Sequence, residues 1–192
     1  MSQSFNWKIS KLRYALVLMG TALCLGTVTA QASLPKAGND DLALCADLEL
    51  RVAGLFRVGT AGLYLERCDY VDRILESVPK QFSLYLQRSF RGDDLASTAR
   101  DVLIENLDLA SPDELPEALA CMAEAYEDAE PGDRYDVIYR PGRGLTMYLN
   151  GEVLRHCDET EQAAKYFMIW FGERPFHRRM RDELISQARE RN

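Results

Sequence analysis

Apolar and polar residues alternate in three stretches of the chain. Leu48, Leu50 and Val52 alternate with Glu49 and Arg51, and Phe82, Leu84 and Leu86 with Ser83, Tyr85 and Gln87. In RYDVIYRPGRGLTMYLNGE, residues 134–152, Leu145, Met147 and Leu149 share one face, and Thr146 and Tyr148 the other. A period of two is that of a strand with one buried side. The turn signals PGRG at 141–144 and NG at 150–151 divide the last stretch into three short strands joined by two hairpins. A further run, LFRVGTAGLYLE, ends at Glu66 and reads as a strand bent or closely approached at Gly59 and Gly62.

Between and after these strands the period changes to that of a helix. DDLASTARDVLIENLDLA, capped by Asp93 or Asp94, carries the stripe Leu95, Ala99, Val102, Leu103 and Leu107. Ser111-Pro112-Asp113-Glu114 opens a second helix with a capping box and Pro at its first position, turning Leu115, Ala118, Leu119, Met122 and Tyr126 inward. A short helix follows Asp69 and stops before Pro79. Asp158 and Glu161 cap QAAKYFMIWF, which Gly172 ends, and Pro175 begins a last helix with Met180, Leu184, Ile185 and Ala188 inward. Strands at both ends, with helices between and after them, predict an α+β domain: an antiparallel sheet with a layer of helices on one face.

Composition changes the picture at the N-terminus. Lys8, Lys11 and Arg13 precede an uncharged apolar run, residues 14–28, and Ala30-Gln31-Ala32 follows it. These are the parts of a secretory signal peptide over 1–32. The run is shorter than the roughly 20 residues that span a bilayer. Export to the periplasm is therefore expected, with membrane anchoring if the signal stays uncleaved, and a single domain over 33–192. Loss of the three basic residues leaves 20 Lys and Arg against 30 Asp and Glu, a net charge of −10. That balance argues against nucleic acid as a partner. Cys45, Cys68, Cys121 and Cys157 remain, and an even number in an exported chain permits two disulfides in three pairings. Cys45 and Cys68 bracket a hairpin-like segment, which favours that pair and leaves Cys121 to Cys157. Buried free thiols are the alternative.

Two residues stand out chemically. Asn106 falls beside the apolar stripe of its helix, where a buried amide must find partners. It either bonds a nearby backbone group or points as a donor into a cavity. Arg51 sits mid-strand opposite Leu48, Leu50 and Val52. It is solvated or paired there, unless that face is covered, in which case its guanidinium suits a carboxylate or phenolate. His156 and His177 lie on different elements without ligand spacing, so no metal site is expected. No phosphate loop, dinucleotide fingerprint or nucleophile elbow occurs, and no cofactor is expected.

ELRVAGLFRVGTAGLYLE, FSLYLQRSFRGDDL, a helix ending IEN, YDVIYRPGRGLTMYLNGE and FMIWFGERPF follow one another in this order, from about Leu48 to Ile185. The series resembles the bacterial chalcone isomerase-like family. The resemblance implies a ligand cleft between sheet and helices. In plant chalcone isomerases, which close a flavanone ring, an arginine holds the attacking phenolate, and a tyrosine, a threonine and an asparagine order the remaining polar contacts. Related members without the full set bind fatty acids through the arginine. Arg51 matches that arginine and Asn106 that asparagine, and Arg88 matches one frequent in bacterial members. The tyrosine position, two helical turns before the asparagine, is Ala99, and the threonine position falls at Gly59, with Thr60 beside it. Loss of ordered donors removes rate without removing affinity. The expected function is thus a non-catalytic binder of a small amphipathic or fatty-acid-like ligand, held by Arg51 and Asn106. An intramolecular lyase or isomerase on another substrate, and a structural or partner-binding periplasmic protein, are the alternatives.

Overall fold

The computed structural model describes residues 41–52 and 56–191, and the expected signal peptide lies outside them. Among the described residues six strands form one sheet: β1 (Ala43–Val52), β2 (Phe56–Leu65), β3 (Lys80–Leu86), β4 (Arg134–Arg140), β5 (Gly144–Leu149) and β6 (Glu152–Cys157). Their order in space is their order in the chain, and every neighbouring pair is antiparallel. Helices α1 (Gly92–Leu107), α2 (Glu117–Ala123), α3 (Met168–Phe171) and α4 (Arg178–Glu190) supply the second layer. The expected architecture is the observed one.

Register explains which face the helices cover. Leu63 pairs with Phe82, Phe82 with Val137, and Val137 with Met147, so one apolar row crosses four strands. All four are buried, and Phe82 stacks on Trp170 of α3 with ring centroids 4.3 Å apart. The neighbouring row, Gly62, Ser83, Asp136 and Tyr148, faces the other way. Leu145 and Met147 are fully buried, as their alternation requires. The NG turn has positive φ at both Asn150 and Gly151, the geometry that matches the twist of a two-residue hairpin.

Disulfides Cys45–Cys68 and Cys121–Cys157 close the two layers. The first ties β1 to the 3-10 helix Cys68–Arg73, and the second ties α2 to the end of β6. Closing loops of 23 and 36 residues is worth about 3–4 kcal/mol each.

Several helix ends differ from expectation. The second helix is broken: a 3-10 turn, Pro112–Glu114, precedes Pro116, which takes the N-cap position of α2, and Ser111 makes no side-chain cap. Proline has no N–H to continue the ladder and disfavours helical φ/ψ in the residue before it, so Leu115 is extended. In α1 neither Asp93 nor Asp94 is the cap. Arg91 holds that position, and the Gly92 N–H donates to Asp128 Oδ1 at 2.8 Å. A side chain at 92 would meet the backbone of Tyr126 and Glu127. The segment Ala163–Phe167 is a 3-10 helix without a side-chain cap, and α4 starts at Arg178, capped by His177, whose Nδ1 accepts from the Met180 N–H at 3.0 Å.

Candidate functional site

A cavity of about 240 Å³ lies between the apolar side of β1–β4 and the helices. Phe82, Leu84 and Val137 form its floor, and Leu95, Ala99, Ile169 and Trp170 its walls. An apolar cavity of about 150 Å³ accommodates one benzene. At that ratio of about 25 Å³ per carbon, this one takes roughly ten carbons.

The polar groups gather at its open end. Arg51, Asp94, Thr98 and His177 line the cavity, with Phe176 beside them, 55% exposed. Arg51 reaches this position through an irregularity. The β1–β2 register shifts between Leu50 and Arg51, so both residues line the cavity although consecutive strand residues normally face opposite ways. The guanidinium sits on the rim, not beneath the helical layer: its side chain is 47% exposed, and Nε donates to Glu49 Oε1 at 2.6 Å. Glu49 also pairs with Arg57 at 3.0 Å.

Ala99 is buried in α1 and presents a methyl to the cavity, at the position where the resemblance places a tyrosine. Tyr126, an inward residue of the expected second helix, and Tyr135, which no sequence signal singled out, also line the space. Tyr135 donates to the Glu127 carbonyl at 2.5 Å, and Tyr166 donates to the Tyr126 hydroxyl at 3.1 Å. Burial pushes Tyr126 up to about 12 and Tyr166 well above its ordinary value. Both phenols therefore stay neutral at physiological pH.

Asn106 does not line the cavity. Its Nδ2 donates to the carbonyls of Val102 (2.8 Å) and Arg174 (2.7 Å), and its Oδ1 accepts from the Arg174 N–H at 3.0 Å. The amide clamps the α3–α4 connection onto α1. Arg88 is exposed and does not line the cavity. His177, which the sequence offered only as a histidine without ligand spacing, lines the cavity. Its helix-capping role is what turns it toward the opening. No group of metal-ligating side chains occurs among the described residues, and none of their helices is long and apolar enough to cross a membrane.

A six-stranded antiparallel meander roofed by helices, with an apolar cleft between the layers, defines an α+β cleft protein. The chain belongs to the chalcone isomerase-like family, whose profile matches residues 26–186. A similar solved structure is the fatty-acid binding protein of Arabidopsis thaliana: TM-score 0.58, 15% sequence identity, covering 81% of this chain and 92% of that one. No curated protein sequence matches.

Proposed function

We propose that the domain binds a small amphipathic acid, its apolar part in the cavity and its anionic head at Arg51. The observation that carries this reading is an apolar space with a guanidinium on its rim and an alanine in its wall. The space offers about 0.8 kcal/mol per buried CH₂, and the cation supplies orientation. The named ligand class of the Arabidopsis thaliana relative, fatty acids, supports the same choice. A cavity of 240 Å³ favours a medium chain of about ten carbons over a long one. The neutral phenols of Tyr126 and Tyr135 are tied to partners within the fold, which suits holding a ligand rather than moving its protons.

The basic-apolar-small pattern of residues 1–32 supports export, so the ligand would be met in the periplasm. Native mass spectrometry of protein recovered from the periplasm tests both parts. The expected spectrum shows a chain beginning at Ser33 with a bound acid, and loss of that acid in Arg51→Ala. Equal occupancy in the two proteins would remove Arg51 from the site, and no bound or added acid in either would defeat the binder reading.

A further inference from the structure

We propose that the opposite face of the sheet carries a second site, for a phosphate-type oxyanion, between Arg140 and Arg143. The β4–β5–β6 meander builds it. Ile138 pairs with Thr146, Thr146 with His156, and Arg140 with Gly144, which brings these positions together on the face away from the helices. With Arg143 from the connecting turn and Tyr148, they line a concavity of about 250 Å³, which shares no residue with the apolar cavity. Gly144, at a φ of +85°, lets the turn lie close against the Cys157–Glu159 backbone, where a side chain would have no room.

The chemistry of the concavity is that of an anion receptor. Arg140 Nη2 is buried and has no hydrogen-bond partner. Buried polar atoms are nearly always paired, and leaving one unpaired costs about 1–3 kcal/mol, more for a charged group. Among the described residues no carboxylate forms an ion pair with Arg140 or Arg143. The hydroxyls of Thr146 and Tyr148 add donors that need no charge. His156 is held by its Nδ1 at 2.9 Å from Thr146 Oγ1, and the nearest acid is Asp158, 3.6 Å from its Nε2. A guanidinium fork serves carboxylate and phosphate alike, and two forks with two hydroxyls around a concave space supply enough donors for the several oxygens of a phosphate-type anion. At about 30 Å³ per water, 250 Å³ is roughly eight waters, enough for a phosphate and the start of an ester substituent. The chain as a whole is acidic, so diffuse attraction does not gather anions here, and the local arrangement must.

Inorganic phosphate titrated into the ¹⁵N-labelled full chain at physiological ionic strength tests the site. The expected result is saturable shifts at Gly144, Thr146 and His156, with affinity weakened at least about tenfold in Arg140→Met and in Arg143→Met. Arg143 is an exposed turn residue, so its variant keeps the fold even if Arg140→Met does not. Vesicles containing phosphatidic acid, against phosphatidylcholine alone, separate the two sources of the group. Co-sedimentation with the first only marks a lipid headgroup, and phosphate binding without it marks a free anion. Either supports the site. Absence of saturable shifts with phosphate and of binding to phosphatidic acid overturns it, as does wild-type affinity in both variants.

Discussion

Asn106 and the backbone of Arg174 form a two-point clamp, Nδ2 to the carbonyl at 2.7 Å and the N–H to Oδ1 at 3.0 Å. The partners are 68 residues apart in sequence, so the clamp fixes where α3 ends relative to α1. Arg174 adds an ion pair to Asp108 from the same connection.

Asn106→Ala leaves the N–H and carbonyl of Arg174 without this partner. The expected loss is about 1–3 kcal/mol, seen as a lower urea midpoint at unchanged slope. Gly172→Ala should reproduce it, because an added Cβ would collide with Asn106 Oδ1. Acid binding in whatever fraction remains folded should change little. A large loss of affinity with full stability would instead make Asn106 a ligand contact.

Arg51 and Glu49 compete with the ligand for each other. Arg51→Ala should weaken decanoate and leave 1-decanol nearly unaffected, since only the acid uses the cation. Glu49→Gln frees the guanidinium from its 2.6 Å pair and should tighten decanoate. The pair is on the surface and screened, so the gain is at most about fivefold. Calorimetric titration of the two ligands into the three proteins gives the comparison.

Ala99 decides how much space there is. Ala99→Phe puts about six more ring carbons into a cavity of 240 Å³ and should abolish binding of chains near ten carbons. Overpacking costs about 1–3 kcal/mol, partly offset by the void it fills, so the melting temperature should fall by only a few degrees. Undiminished decanoate binding in Ala99→Phe would place the ligand elsewhere.

Lys80 predicts a pH signature unrelated to the ligand. It is fully buried, donates to the Glu76 carbonyl at 2.6 Å and lies over the Tyr139 and Phe167 rings at 4.6 and 5.1 Å. Burial lowers its pKa to about 7, against the pull of Glu159 and Glu76. In the unfolded chain a lysine titrates near 10.4. Below pH 7 folding must desolvate a charge that both states would hold, and the penalty is complete. Between about 7 and 10.4 the folded state is already neutral and only the unfolded state holds the proton, so stability rises with pH. Above that window the penalty is gone. Urea unfolding of the wild type and Lys80→Met at several pH values should show the wild type gaining relative to the variant across this window, by a few kcal/mol. A constant difference would mean that Lys80 keeps its charge in the fold.

The meander and its covered face were readable because Leu145, Met147 and Leu149 alternate without interruption between two unambiguous turns. Arg51 was assigned to the wrong side for a local reason. Alternation places it opposite Leu50, but at the register shift between the two β2 carries an extra residue, Val58, and Arg51 comes to line the cavity rim. Such a shift depends on what the partner strand pairs with, and a single strand's pattern does not contain it. The α1 cap was missed likewise, since its acceptor, Asp128, is 36 residues away. The break in the second helix was present in the sequence, as Pro116, four residues after the proline taken to start it. Asn106 was singled out correctly as an amide needing partners, but local spacing does not distinguish a backbone clamp from a ligand donor.

Trp170 lines the cavity, and the other indole, Trp7, falls within residues 1–32, so in a chain beginning at Ser33 the fluorescence of Trp170 is a direct report on occupancy. Titration with straight-chain carboxylic acids of increasing length should give a saturable one-to-one change. Affinity should climb about fourfold per CH₂ until the chain reaches roughly ten carbons, then level or fall. A signal that is absent at every length, or that never saturates, would contradict a ligand cavity in this domain.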